Sequence, residues 1–245
     1  MDKIRVLNRN TLKTTALVFM AIGHFVAYTM SLFDFFGLPV FWRNFFVYME
    51  FLAPPVFMYF ISEGYQYTRS KKKYVTRLLI LALVTQVAYV LCHAMRFDIK
   101  MFLTDWNVIM TLFIGLIALC ILDCDKEKPV KAIGLFACLV AGSFTEWSYV
   151  GVAIILLFYV FRNYRILQFI ACEALMFIDK FIASGYVLGQ TTIRFMIVVT
   201  ISMLVITLFY NSEDSGNNNA FSKYFFYVFY PAHLLLIYFV KVIFS

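Results

Sequence analysis

Apolar residues fall in continuous runs of about twenty, set apart by short polar clusters. A run of that length spans the hydrocarbon core of a bilayer as a helix. The runs do not alternate with period two, which excludes barrel strands. They predict membrane-spanning helices near 12–33, 43–62, 75–95, 107–122, 130–145, 147–161, 166–183, 191–210 and 223–243. The expected fold is all-α: a polytopic integral membrane helix bundle with about nine transmembrane helices, forming one domain over residues 1–245. The run from Leu12 to Phe33 is too long for a signal-peptide core, and no small-x-small site follows it, so it reads as a span. Pro129 suits the opening of the fifth helix, and Glu146 and Trp147 mark the turn before the sixth. Pro54–Pro55 falls inside the second span and predicts a kink lined by neighbouring helices or polar groups. Asn211 to Ala220 is the one flexible-looking stretch.

Composition sharpens this picture. Hydrophobic residues make up 63% of the chain and charged residues 14%, against roughly 45–50% and 25% in soluble domains. The apolar excess therefore faces lipid, and many of the 16 tyrosines sit near run ends, where interfacial anchoring favours them. The five cysteines lie in or beside spans with no CxxC spacing; apolar packing is their expected role, and no metal is expected. Lys and Arg placement sets orientation. With the N-terminus cytoplasmic, the inner segments hold Lys3, Arg5, Arg9, Lys13, the 69–77 cluster, Lys126, Lys128, Lys131, Arg162, Arg165 and Lys223. That is fifteen of the 21 basic residues.

Ionisable groups inside spans are costly and are functional candidates by default. His24 in the first span and His233 in the last each lie about 15–17 Å from the inner boundary at a helical rise of 1.5 Å per residue. Glu50 lies in the second span, one turn before the proline pair. Plainer readings stand beside these: each histidine bonds a neighbouring helix, and Glu50 pairs with Arg43 or a tyrosine. His24 has small or apolar neighbours and nothing local to satisfy its ring, and an imidazole suits proton transfer near neutral pH.

A second cluster is the inner loop Glu63 to Tyr74, followed by Arg77. Its Arg69, Lys71, Lys72 and Lys73 either fix topology against anionic lipid or form a phosphate-binding lip, with Tyr67 and its neighbouring tyrosines available to stack on a base.

These residues resemble those of TraX-type proteins. Leu12 to His24 is similar to the family's opening helix, with Gly23 where the family carries an Asp before its His. Phe57 to Leu79 resembles the second motif, with Tyr67 in place of a frequent His. Asn107 to Leu112 resembles the fourth-helix motif, Glu146 to Tyr159 a later segment, and Lys223 to Leu234, ending Tyr-Pro-Ala-His-Leu, the C-terminal motif. The family's best-known member acetylates the N-terminus of a conjugative pilin, and the family looks distantly like membrane acyltransferases of the acyltransferase-3 type. The resemblance implies an acyltransferase of a bacterial inner membrane, with acetyl-CoA as donor and His24 as catalytic base.

The two readings converge on one expectation. Arg69, Lys71, Lys72, Arg77 and Tyr67 hold the nucleotide end of CoA, and the pantetheine arm reaches His24 or His233. Asn107 or a tyrosine stabilises the oxyanion, and Glu146 orients the acceptor, with Glu50 and Glu63 as further substrate contacts. The acceptor is a peptide amine, a glycan hydroxyl or a small molecule; nucleic acid is not expected. A proton-coupled transporter is the rival reading, since it also explains midplane histidines, Glu50 and a broken helix. A structural membrane partner without chemistry is a third.

Overall fold

The computed structural model describes residues 5–212 and 220–244. Lys3 and residues 213–219 of the polar stretch lie outside them. Every one of the nine predicted intervals is occupied by helix. In chain order the helices are α1 (Arg9–Tyr28), α2 (Met30–Phe35), α3 (Val40–Met49), α4 (Ala53–Tyr67), α5 (Lys71–Ala94), α6 (Ile99–Thr104) and α7 (Val108–Asp123). They continue with α8 (Lys128–Gly142), α9 (Ser148–Val160), α10 (Arg165–Ala183), α11 (Gln190–Leu204) and α12 (Ala220–Phe244). Among the described residues, five helical stretches are long and apolar enough to cross a bilayer: Arg9–Tyr28, Val40–Tyr67, Lys71–Ala94, Gln190–Phe209 and Tyr227–Phe244. Val108–Leu122 and Ser148–Val160 are apolar but shorter. This is a helical membrane protein.

Local sequence explains where the helices begin. Asn8 caps α1 by accepting from the Thr11 N–H at 2.9 Å, and Asp98 caps α6 by accepting from Met101 N–H at 3.0 Å. Pro129 stands in the first turn of α8, where its missing N–H costs nothing.

The second span is broken upstream of its prolines. Pro54 and Pro55 lack the N–H groups that the carbonyls of Glu50 and Phe51 need four residues back. A 3-10 turn over Glu50–Leu52 replaces the α pattern, and the Ala53 N–H turns back to the Glu50 carbonyl. The Ser202 hydroxyl of α11 donates to the Leu52 carbonyl at 2.7 Å, so a neighbouring helix satisfies the backbone where it is irregular. The proline pair thus acts on Glu50, placing it at the turn.

The chain divides into two compact units. The first comprises Met1–Val56, Ala88–Phe97 and Leu188–Ser245; the second comprises Phe57–Val87 and Asp98–Val187. In the first, α1 packs on α3 and the 3-10 turn. A Cβ on Gly23 would come within 2.5 Å of Glu50 Cβ and 2.9 Å of the Phe46 carbonyl oxygen, so only glycine permits this approach. In the second, α7, α8 and α9 pack closely. A Cβ on Gly115 would meet Ile155 Cδ1 at 2.3 Å, and one on Gly151 would meet Thr111 Cγ2 at 2.6 Å. Leu116, Leu119, Val152, Ile154 and Ile155 form the core there.

Candidate functional site

Close contact at Gly23 decides what His24, the next residue, can face. In the first unit the His24 ring is buried, and its Nδ1 lies 3.0 Å from Nε2 of His233 on α12. The two rings stack at 5.3 Å with 16° between their planes. On its other side, His24 Nε2 lies 3.9 Å from Glu50 Oε2. The two span histidines therefore meet, and Glu50 joins them. Arg43, the partner the sequence offers Glu50, is instead ion-paired with Asp34.

Hydrogen-bond logic fixes the tautomers. His233 Nδ1 lies 3.2 Å from the Phe229 carbonyl oxygen, which can only accept, so this nitrogen carries the proton. In the neutral ring Nε2 is then an acceptor, and it accepts from His24 Nδ1–H. Neutral His24 is left with a bare lone pair on Nε2, the atom that faces Glu50. A chain of bonds anchored on a backbone carbonyl thus ends in a base, with a carboxylate where positive charge develops once the base takes a proton.

A second pair lies one turn along α1. The Tyr28 hydroxyl is 2.7 Å from Nε2 of His93, whose Nδ1 is 2.8 Å from the Tyr89 carbonyl oxygen. By the same argument His93 Nδ1 donates to that carbonyl, and the Tyr28 hydroxyl donates to Nε2. The Tyr28 ring stands 5.7 Å from that of His24. Lys241 donates to the Cys92 carbonyl at 2.7 Å and lies 5.8 Å from the Tyr28 ring. All three histidines of the chain belong to this arrangement. Sequence reasoning missed Tyr28 and His93. The available signal was that His93, like the other two, falls inside a predicted span.

The other candidates belong to the second unit. Asn107 is fully buried and caps α7: its Oδ1 accepts from Ile109 N–H at 2.9 Å. Its Nδ2 donates to the Ala82 carbonyl at 3.0 Å and to Gln86 Oε1 at 2.7 Å. Both amide hydrogens are spoken for, so none remains for an oxyanion. Glu146 accepts from the Val108 N–H at 3.0 Å, placing a carboxylate at the positive end of α7. Glu63 is buried on α4.

The basic loop straddles Thr68 to Ser70, and Lys71, Lys72 and Lys73 occupy the first turn of α5. Three cations there oppose the helix dipole. Lys71 is drawn elsewhere: it donates to the Tyr65 hydroxyl at 2.6 Å and to Asp123 at 3.1 Å. Asp123 also accepts from Tyr65 at 3.1 Å and Tyr159 at 2.9 Å. Burial pushes its carboxyl up, but the bonds from Lys71, Tyr159 and Tyr65 outweigh that and hold it below the usual value. Arg69, Lys72, Lys73 and Arg77 are exposed and have no ion-pair partner among the described residues; Tyr67 is exposed too.

A family model described as TraX protein matches residues 8–241. The chain belongs to the TraX family. The TraX match takes in every member of the histidine arrangement, from His24 to Lys241. Among curated proteins, it is similar to the "Probable fimbrial assembly protein FimC, serogroup H1" of Dichelobacter nodosus. The two are 26% identical over 191 residues, which cover 76% of this chain and 78% of that protein. No solved structure matches this TraX protein.

Proposed function

We propose that this protein is an acetyltransferase of a bacterial cytoplasmic membrane, moving an acetyl group from acetyl-CoA to an acceptor amine or hydroxyl at or beyond the bilayer. The observation that carries the reading is the Glu50–His24–His233 arrangement, with its bare Nε2 on His24. His24 Nε2 takes the proton of the acceptor amine as its nitrogen attacks the thioester carbonyl carbon. The C–N bond forms, the C–S bond breaks, and CoA leaves with the electron pair on sulfur. His233 holds the tautomer, and Glu50 stabilises the imidazolium. The relative's name, a fimbrial assembly protein, favours a pilus subunit as acceptor. For the donor's phosphates we assign Arg69, Lys72 and Arg77, which have no carboxylate partner among the described residues; Lys71 is already held by Asp123. Glu63 and Glu146 have no assigned step.

Proton-coupled transport is the second reading, favoured by the extension of the polar chain through Tyr28 and His93. One experiment separates the two. Purified protein in vesicles is given labelled acetyl-CoA and a pilin peptide. His24→Gln keeps the size and hydrogen bonding of the side chain but removes the base, and transfer should fall by about 100- to 10,000-fold, with CoA binding retained. Replacing Arg69, Lys72 and Arg77 together with Gln should instead weaken CoA binding and flatten its salt dependence. An active His24→Gln protein, or wild type that binds no CoA, defeats the acyl-transfer reading.

A further inference from the structure

The first unit also contains a groove of about 360 Å³, formed by α3 and α11 and lined by Val40, Phe41, Phe45, Met49, Ile197 and Val198. Three polar side chains share its lining: Asn44, Tyr48 and Arg194. None of the three makes a hydrogen bond or ion pair among the described residues. Both helices belong to stretches apolar enough to cross the bilayer, where an unpartnered amide is costly. Arg194 sits one turn into α11, near the end of an apolar stretch, where a long cation can extend toward a headgroup layer. The charge around it is one-sided. Neither α3 nor α11 contains an acidic residue, and Arg43, the cation of α3, is held by Asp34.

We propose that this groove seats an anionic phospholipid, with its phosphate on Arg194 and Asn44 and one acyl chain along the apolar wall toward Met49. The proposal stands apart from the acyl-transfer reading and needs no part of it. A second copy of the chain is the poorer occupant, because a symmetric contact through these faces would set arginine near arginine with no carboxylate between them. The wall from Phe41 to Met49 is about 12 Å long at 1.5 Å per residue, enough for the upper part of an acyl chain. Met49 directly precedes Glu50, so an occupied groove braces the turn that presents the carboxylate to His24.

The test uses the delipidated full chain in mild detergent, with native mass spectrometry after addition of phosphatidylglycerol or phosphatidylcholine of the same chains at low salt. Phosphatidylglycerol should bind at least tenfold more tightly. Arg194→Gln should bring it down to the phosphatidylcholine level, Arg194→Lys should keep most of the preference, and Arg96→Gln should leave it intact. Ile197→Trp, which fills the groove, should weaken both lipids; should that variant misfold by helicity, the arginine series decides alone. Equal binding of the two lipids, or an undiminished preference in Arg194→Gln, overturns the proposal. So does a dimer that carries no lipid and is dissolved by Ile197→Trp.

Discussion

Two buried polar clusters in this protein use the same materials to opposite ends. Around Asn107 every donor and acceptor is consumed internally: its amide serves Gln86, Ala82 and Ile109, and Gln86 returns its own amide to the Asp105 carbonyl at 2.8 Å. Around His24 the chain of bonds starts on the Phe229 carbonyl, runs through His233 and stops at a nitrogen with a lone pair to spare. A closed network fixes a helix start. An open-ended one leaves a group that can accept a proton, and only that group has chemistry to offer.

Substitutions can break this contrast. His233→Ala should be the most damaging to function among the partners: without its acceptor, His24 loses its fixed tautomer. Transfer should drop by roughly 10- to 100-fold, short of the loss of the base itself, in a protein that still binds CoA. Asn107→Ala should do the reverse. It removes a cap and two buried hydrogen bonds, costing about 2–3 kcal/mol of stability, read as a lower unfolding temperature in detergent, with the rate per folded molecule unchanged. A large rate loss in folded Asn107→Ala protein would erase the distinction between the clusters. Gly23→Ala tests the approach that creates the open site: the new methyl collides with Glu50 Cβ and the Phe46 carbonyl, costing about 1–3 kcal/mol and lowering transfer as Glu50 is pushed from His24. The smallest effect is expected at Asp123. Its carboxyl is held below the usual value when folded, so its contribution is present above the ordinary Asp range and lost as pH falls through the lowered value. Asp123→Asn should cost only about 0.5 kcal/mol at pH 7, and the gap from wild type in thermal unfolding should close below about pH 4.

The helices were legible because lipid demands long apolar runs, and that demand is written in consecutive residues. His24 was legible for a similar reason: nothing beside it in sequence could satisfy its ring. Its partners were another matter. Glu50 reads as a neighbour of Arg43, seven residues away, whereas Arg43 turns to Asp34 and Glu50 reaches His24 across the gap that Gly23 leaves. The proline pair announced a distortion, but the carbonyls it deprives lie four residues upstream, so the turn falls at Glu50. Lys71 looked like one more phosphate ligand because Asp123, which holds it, is 52 positions away. Asn107 looked like a donor because a buried amide and a catalytic amide have the same letter; only the fate of its hydrogens separates them.

The short backbone bridge at Leu7 carries a topological consequence. Leu7 N–H donates to the Phe209 carbonyl at 3.0 Å, and Asn211 N–H donates to the Leu7 carbonyl at 3.1 Å. Two segments joined by hydrogen bonds stand at the same face of a bilayer. Between Leu7 and Phe209 the chain must therefore cross an even number of times, whichever of the shorter apolar helices complete a passage. Tyr227–Phe244 is long and apolar enough to add one more crossing. With that crossing, parity puts Leu7 and Phe244 on opposite faces of the membrane, a result that impermeant labelling at the two ends checks without any count of basic residues.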